Sequence, residues 1–332
     1  MNYKATIEEE NKEIAKRYKN LLKETYQTLS RSDKLMIRKA FNLSVEAHSN
    51  QRRKTGEPYI FHPISVAKIV ANEIGLGAIS IAAALLHDVV EDTKYTLEDI
   101  ERLFGETVAR IVSGLTKISS LKKDKDHSIQ AENFRKMLLT LHDDVRVILI
   151  KVADRLHNMQ TMDAMPAYKQ VKIASETLYI YAPLAHRLGL YNIKTELEDL
   201  GLKYTEPEVY NDILSKISES KEDQENYIKS FENTLNSGLS KESFKYEIKG
   251  RFKSIYSIRR KMRKQNVSFD EVYDKFAIRI IYEPSSKDEK FDAWKIYSIV
   301  TDYFKPNPSR LRDWISQPKS TGYEALHITV VG

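Results

Sequence analysis

The run Ala82-Ala83-Ala84-Leu85-Leu86, followed at once by His87-Asp88-Val89-Val90-Glu91-Asp92, constrains this chain more than any other stretch. A segment that apolar belongs in a core, and a core accepts ionisable groups only when they are paired or coordinate something. Read as one buried helix, residues four apart share a face, which sets His87 over Glu91 and Asp88 over Asp92. One turn would then hold metal ligands together with general acid and base groups. A buried His beside an Asp is, taken alone, more often a satisfied core pair. The metal reading therefore needs outlying ligands.

Two further residues supply them. His62 sits in Tyr59-Ile60-Phe61-His62-Pro63, and Asp154 in Ile150-Lys151-Val152-Ala153-Asp154-Arg155-Leu156-His157-Asn158, both beside apolar runs. Two imidazoles and two carboxylates make a mixed nitrogen and oxygen shell that suits Mn, Fe or Zn better than Ca. Open positions on such an ion can take water and a phosphate oxygen, so the implied chemistry is metal-assisted hydrolysis of a phosphoester.

Composition narrows the setting. The chain has 332 residues, enough for two domains, and 41% are hydrophobic. It has no cysteine, which removes disulfides and thiolate chemistry. The longest apolar run, Ile79 to Leu86, is far short of the roughly 20 residues that span a bilayer. The N-terminal residues contain no apolar signal segment, so a cytoplasmic location without membrane association is expected. The net charge of +6, from 53 basic and 47 acidic residues, favours polyanionic small molecules only mildly. No basic stripe interleaved with aromatics argues for DNA or RNA.

Helical periodicity runs almost throughout residues 5 to 200. Ser32-Asp33 is expected to cap the helix running to His48, and Thr96-Leu97-Glu98-Asp99 reads as a capping box. Leu121 to His127 is polar and reads as a mobile loop. From Tyr246 the pattern changes to alternating β-branched or aromatic and charged residues, as in Phe276 to Tyr282 and His327 to Val331. Ser254 to Lys264 and Phe291 to Phe304 keep helical spacing between them. The expected organisation is α+β: an all-α domain over 1–200, a helical connector over 201–245, which includes a charged helix from Lys216 to Leu235, and a strand-containing domain over 246–332.

The order His62, His87-Asp88, Asp154 resembles the HD superfamily of metal-dependent phosphohydrolases. Within it, Gln51-Arg52-Arg53-Lys54-Thr55-Gly56-Glu57-Pro58-Tyr59, the acidic pair Glu91-Asp92 and Ala153-Asp154-Arg155-Leu156-His157-Asn158-Met159 resemble the Rel/SpoT family, whose members degrade and make the alarmones ppGpp and pppGpp. The resemblance runs from about Asp33 to the final residue. It implies that His62, His87, Asp88 and Asp154 hold Mn²⁺, and that Glu91 and Asp92 orient or deprotonate the attacking water. The implied reaction removes pyrophosphate from the ribose 3′ position of (p)ppGpp, leaving GDP or GTP. Arg53 would stack on the guanine, Lys54 would meet phosphate, and Tyr59, Asn158 and Thr161 would line the substrate pocket.

The second region resembles the alarmone synthetase domain, which has a mixed nucleotidyltransferase-like sheet and transfers pyrophosphate from ATP to GDP or GTP. The resemblance implies that Arg251, Lys253 and Lys261 hold ATP phosphates, although Phe252 and Ser254 replace a usual proline and histidine. Asp274 matches the carboxylate that binds Mg²⁺, and Tyr323 and His327 match acceptor-nucleotide positions, with Tyr323 on the guanine. Arg310-Leu311-Arg312-Asp313 resembles the basic motif of bifunctional members, with Arg312 where lysine is more usual. Tyr181-Ala182-Pro183-Leu184-Ala185-His186-Arg187-Leu188-Gly189 resembles the segment linking the two catalytic regions, with His186 structural. The sequence given stops at Gly332, before the strands expected to carry a second metal-binding glutamate. The synthetase domain is therefore expected to be incomplete, and ribosome contact to need a longer parent protein. The reading is a Mn²⁺-dependent (p)ppGpp hydrolase with a partial synthetase domain. The competing readings are a parent that also works as a GTP pyrophosphokinase, a generic HD nucleotidase, or a non-enzymatic nucleotide-sensing regulator.

Overall fold

The computed structural model describes residues 6–25, 27–120, 144–219, 221–272, 275–284, 289–318 and 322–331. The chain divides into two compact units, Met1–Pro207 and Glu208–Gly332. Among the described residues the named elements of the first are all helices, and the second mixes helices with short antiparallel ladders, so the molecule is α+β.

In the first unit the helices are α1 (Ile7–Glu24), α2 (Arg31–Ala47), α3 (Phe61–Asn72), α4 (Ala78–Leu85), α5 (Val89–Asp92), α6 (Leu97–Phe104), α7 (Glu106–Ser120), α8 (Val145–Gln160), α9 (Ala167–Glu176), α10 (Ala182–Arg187) and α11 (Tyr191–Thr205). Capping boxes start three of them: Thr6 with Glu9, Ser30 with Asp33, and Thr96 with Asp99. The box at Thr96 is the one expected from sequence. At α2 the cap is Ser30 rather than Ser32, because only a serine three residues before Asp33 lets each side chain reach the other's backbone N–H.

A second difference concerns the motif helix. The segment expected as one helix through His87 to Asp92 ends at Leu85, turns through 86–88, and resumes as the single turn α5. The His87 imidazole takes the Ala84 carbonyl at 2.8 Å, the acceptor that a continuing helix would offer to the Asp88 N–H. The Asp92 N–H still donates to the Asp88 carbonyl at 2.9 Å, so those two residues keep their one-turn relation.

Helix α4 carries almost no polar side chains and is buried over nearly its whole length. It packs against α2, α3 and α7, while α3 also packs against α1 and α8. Helix α8 is buried on every face from Ile150 to His157, although Lys151, Asp154, Arg155 and His157 fall within that stretch. Between α9 and α10, residues Thr177–Tyr181 form a π-helical turn. Pro183, which has no N–H to donate, stands just beyond it, where a regular ladder would need one. The Leu121 to His127 stretch lies outside the described residues.

In the second unit the helices are α12 (Pro207–Glu219), α13 (Lys221–Leu239), α14 (Ile255–Gln265) and α15 (Glu289–Tyr303). Strands β1 (Lys245–Phe252) and β2 (Phe276–Glu283) pair antiparallel over their full length, from Lys245 opposite Glu283 to Phe252 opposite Phe276. The shorter strands β3 (Lys305–Pro306), β4 (Arg312–Asp313), β5 (Leu326–His327) and β6 (Val330–Val331) pair as β3 with β6 and β4 with β5. The expected His327 to Val331 strand is thus split between two ladders. Helices α13 and α15 cover a small core of Leu235, Leu239, Phe244, Ile296 and Val300.

Candidate metal centre and nucleotide-binding residues

Because α3 packs on both α4 and α8, three distant polar residues converge. His62 stands in the first turn of α3, His87 just past the end of α4, and Asp154 in the middle of α8. Ligand atoms of these three lie within 4.8 Å of one another, and all three residues are buried. Asp154 Oδ1 is 3.2 Å from His62 Nε2 and 3.9 Å from His87 Nε2. Asp88 completes the group, with Oδ2 at 2.9 Å from His87 Nε2 and 3.8 Å from His62 Nε2.

The donor set fits a divalent ion. His87 Nδ1 faces a carbonyl that can only accept, so Nδ1 carries a proton and Nε2 points into the cluster. That Nε2 is buried and makes no hydrogen bond; its approach to Asp88 has ion-pair distance without hydrogen-bond geometry. Burial opposes the His87 imidazolium, but the Asp88 and Asp154 carboxylates together outweigh it and the pKa is raised. Burial pushes the His62 imidazole the other way, toward its neutral form. Both Asp88 and Asp154 stay ionised against the cost of burial, Asp88 chiefly because of His87 and Asp154 chiefly because of Lys151. The His62, His87 and Asp154 cluster, with Asp88 beside it, is a candidate divalent-cation site, and an ion entering it would displace the His87 proton.

A further shell holds these ligands. His62 Nδ1 is 2.8 Å from His157 Nδ1, whose own pKa is pushed down to about 3 by burial and the neighbouring His62. The Asn158 amide donates to Asp154 Oδ1, and Lys151 Nζ is 3.0 Å from Asp154 Oδ2. Tyr59 donates its hydroxyl to Asp88 Oδ2 at 2.6 Å and lies 3.4 Å from Asp92 Oδ2. Gln51 donates to the Asp92 carbonyl and meets His48 Nδ1 at 2.8 Å. Glu91 and Asp92 themselves are exposed beside this buried centre. Burial, then the Asp88 and Glu91 charges, raise the Asp92 pKa.

The loop before α3 carries Arg53, Lys54 and Tyr59, of which Tyr59 reaches Asp88. Arg52 and Pro58 form a bridge, and Gly56, at φ 89°, closes the turn between them where a side chain would be strained. Arg53 thereby reaches α8, donating to Asn158 Oδ1 at 3.2 Å and Thr161 Oγ1 at 2.8 Å. Lys54 is exposed at the turn. Sequence reasoning missed Lys151, His157, His48 and Gln51. No sequence signal separated the first two from the polar residues of an ordinary helix face, because the burial of α8 is set by the helices packed around it.

In the second unit, Arg312 of β4 pairs with His327 of β5, and the Tyr323 hydroxyl is 2.8 Å from His327 Nε2. These three residues therefore form one cluster. Arg251 lies next to the end of β1, opposite Ala277, the Lys253 N–H donates to the Lys275 carbonyl, and Lys261 lies on α14. Asp274 lies outside the described residues.

A family model described as an HD domain matches residues 40–191, and one described as a region found in RelA / SpoT proteins matches residues 250–332. The chain belongs to the Rel/SpoT family. It is 45% identical over 298 residues to a probable guanosine-3′,5′-bis(diphosphate) 3′-pyrophosphohydrolase of Synechocystis sp., covering 90% of this chain and 38% of that protein. It is 43% identical to a GTP pyrophosphokinase of Myxococcus xanthus, covering 90% and 39%. A bifunctional (p)ppGpp synthase/hydrolase SpoT of Escherichia coli is 39% identical, covering 94% and 44%. The chain thus spans less than half the length of these Rel/SpoT relatives. No described helix is long and apolar enough to cross a membrane.

Proposed function

We propose that the first unit hydrolyses the 3′-pyrophosphate of (p)ppGpp to GDP or GTP and pyrophosphate, using Mn²⁺ held by His62, His87, Asp88 and Asp154. The observation that carries this reading is the buried meeting of His62, His87 and Asp154 within 4.8 Å, flanked by the exposed carboxylates of Glu91 and Asp92. The bound ion supplies Lewis acidity toward a phosphoryl oxygen and toward water. Glu91 and Asp92 take the proton of the attacking water, and Tyr59 keeps Asp92 beside Asp88. Arg53, fixed by Asn158 and Thr161, offers a planar face to the guanine, and Lys54 offers a point charge to phosphate. The names of the Synechocystis and Escherichia coli relatives support this substrate.

The test is release of pyrophosphate and GDP from ppGpp by the 332-residue chain, with added Mn²⁺ and after chelation. Turnover that requires the metal, and that vanishes together with metal binding in Asp88→Ala, is the expected result. No turnover by a chain that binds Mn²⁺ would turn the reading to a nucleotide-binding regulator.

The Arg312, Tyr323 and His327 cluster favours a second reading for the other unit, that of a guanine-nucleotide site in which Tyr323 stacks on the base. Arg251, Lys253 and Lys261 would meet ATP phosphates there, with Mg²⁺ at Asp274, and the parent protein would then also act as a GTP pyrophosphokinase. The name of the Myxococcus relative supports it.

A further inference from the structure

Lys151 is a lysine without a route to solvent. It lies on α8, is 4% exposed, and extends along a helix whose neighbouring residues Ile148, Ile150, Val152 and Ala153 are all fully buried. Its Nζ is 3.0 Å from Asp154 Oδ2, while the other oxygen of that carboxylate, Oδ1, faces the two imidazoles. The Asp154 carboxylate is therefore divided between a fixed cation on one side and the candidate metal position on the other. Nothing in the hydrolytic reading uses this charge.

We propose that Lys151 is a positioning residue that restricts Asp154 to one metal-facing oxygen and lowers the net negative charge of the centre, so that the divalent ion is held loosely. This inference rests on the metal-dependent reading of the site. With neutral imidazoles, Asp88 and Asp154 bring two negative charges and Lys151 returns one positive charge, leaving a single net negative charge to meet the ion. Without the ammonium both oxygens of Asp154 become free to bind and the full charge of both carboxylates acts on the ion. A unit charge a few ångströms away, in the effective dielectric found inside proteins, changes an ion's affinity by about tenfold or more.

Titration calorimetry with Mn²⁺ and thermal melting, each on the full chain, test this with Lys151→Met and Lys151→Gln. Met keeps the length of the side chain without a donor; Gln keeps an N–H donor without the charge. Both variants are expected to bind Mn²⁺ at least tenfold more tightly than the unaltered protein, and to turn over more slowly. Both are also expected to melt lower without metal, because Asp154 loses its buried counter-charge, and to recover most of that loss when Mn²⁺ is added. A packing role alone would lower the melting temperature equally with and without the ion, and that result overturns the proposal. So does Mn²⁺ affinity that is unchanged or weaker in both variants. If Lys151→Gln binds as the unaltered protein does and only Lys151→Met differs, the hydrogen bond rather than the charge is what matters, which also overturns it. Failure of the unaltered protein to bind Mn²⁺ at all is a separate outcome, and it overturns the metal-dependent reading and this proposal together.

Discussion

The Tyr59 hydroxyl stands between two carboxylates with different expected duties, donating at 2.6 Å to Asp88 beside the imidazoles and lying 3.4 Å from the exposed Asp92. Burial, followed by the Asp88 charge, raises its pKa, so it remains a donor across the working range of pH. Tyr59→Phe keeps the ring on His48, where the centroids are 4.7 Å apart, and removes only the hydroxyl. Outer-shell partners of metal ligands are worth about 10- to 100-fold in affinity or activity, so Mn²⁺-dependent turnover is expected to fall by that order. Steady-state kinetics on ppGpp check this, and a change confined to KM would return Tyr59 to the base pocket where its sequence context places it. The buried meeting of His62, His87 and Asp154 was legible as a candidate because each is a polar residue beside an apolar run. Lys151 was not, because a lysine three residues before an aspartate on a helix is the ordinary pattern of a solvent-exposed pair. Only the burial of all sides of α8 distinguishes it, and that depends on which helices pack around it.

At the scale of elements, local side-chain hydrogen bonds decided the boundaries that periodicity could not. The apolar run through Leu86 marks a buried helix but carries no sign that His87 will take the Ala84 carbonyl and end it. That break brings His87 Nε2 and Asp88 Oδ2 within 2.9 Å of each other. Helix α8 starts on Asp144, whose carboxylate accepts from the Arg146 N–H at 3.0 Å and from its guanidinium at 2.7 Å. Those bonds hold the Asp144 pKa below the usual carboxylate range. A carboxylate with a lowered folded pKa stabilises the fold above its unfolded value, about 3.9, and loses that contribution as pH falls through the folded one. Asp144→Ala is therefore expected to cost about 1 kcal/mol at pH 7, the usual worth of such a cap. Denaturant unfolding at a series of pH values should show the gap narrowing below about pH 4 as the unaltered carboxylate is protonated. A gap that widens in acid would mean that Asp144 does not act through its charge.

On the scale of the whole molecule, the change from helical to alternating periodicity near Tyr246 announced two kinds of structure, and the compact units divide at Pro207. Every residue expected to serve hydrolysis, from Arg53 to Thr161, falls in the first unit. That unit owns a core of its own, built from α1 to α11 and the π-helical turn, in which Ile81, Leu85, Ile148 and Leu156 are fully buried. The candidate metal ligands are placed by packing within that core: α3 against α4 brings His62 to His87, and α3 against α8 brings it to Asp154. If these contacts alone shape the centre, a chain ending at Pro207 should bind Mn²⁺ with the affinity of the 332-residue chain and release pyrophosphate from ppGpp when supplied with the metal. Calorimetry on the two lengths gives the comparison directly. Equal affinity with lost turnover would assign to the later residues a part in binding the alarmone. A folded shorter chain that no longer binds Mn²⁺ would mean that residues beyond 207 are needed to complete the centre, contrary to what the packing of α3, α4 and α8 implies.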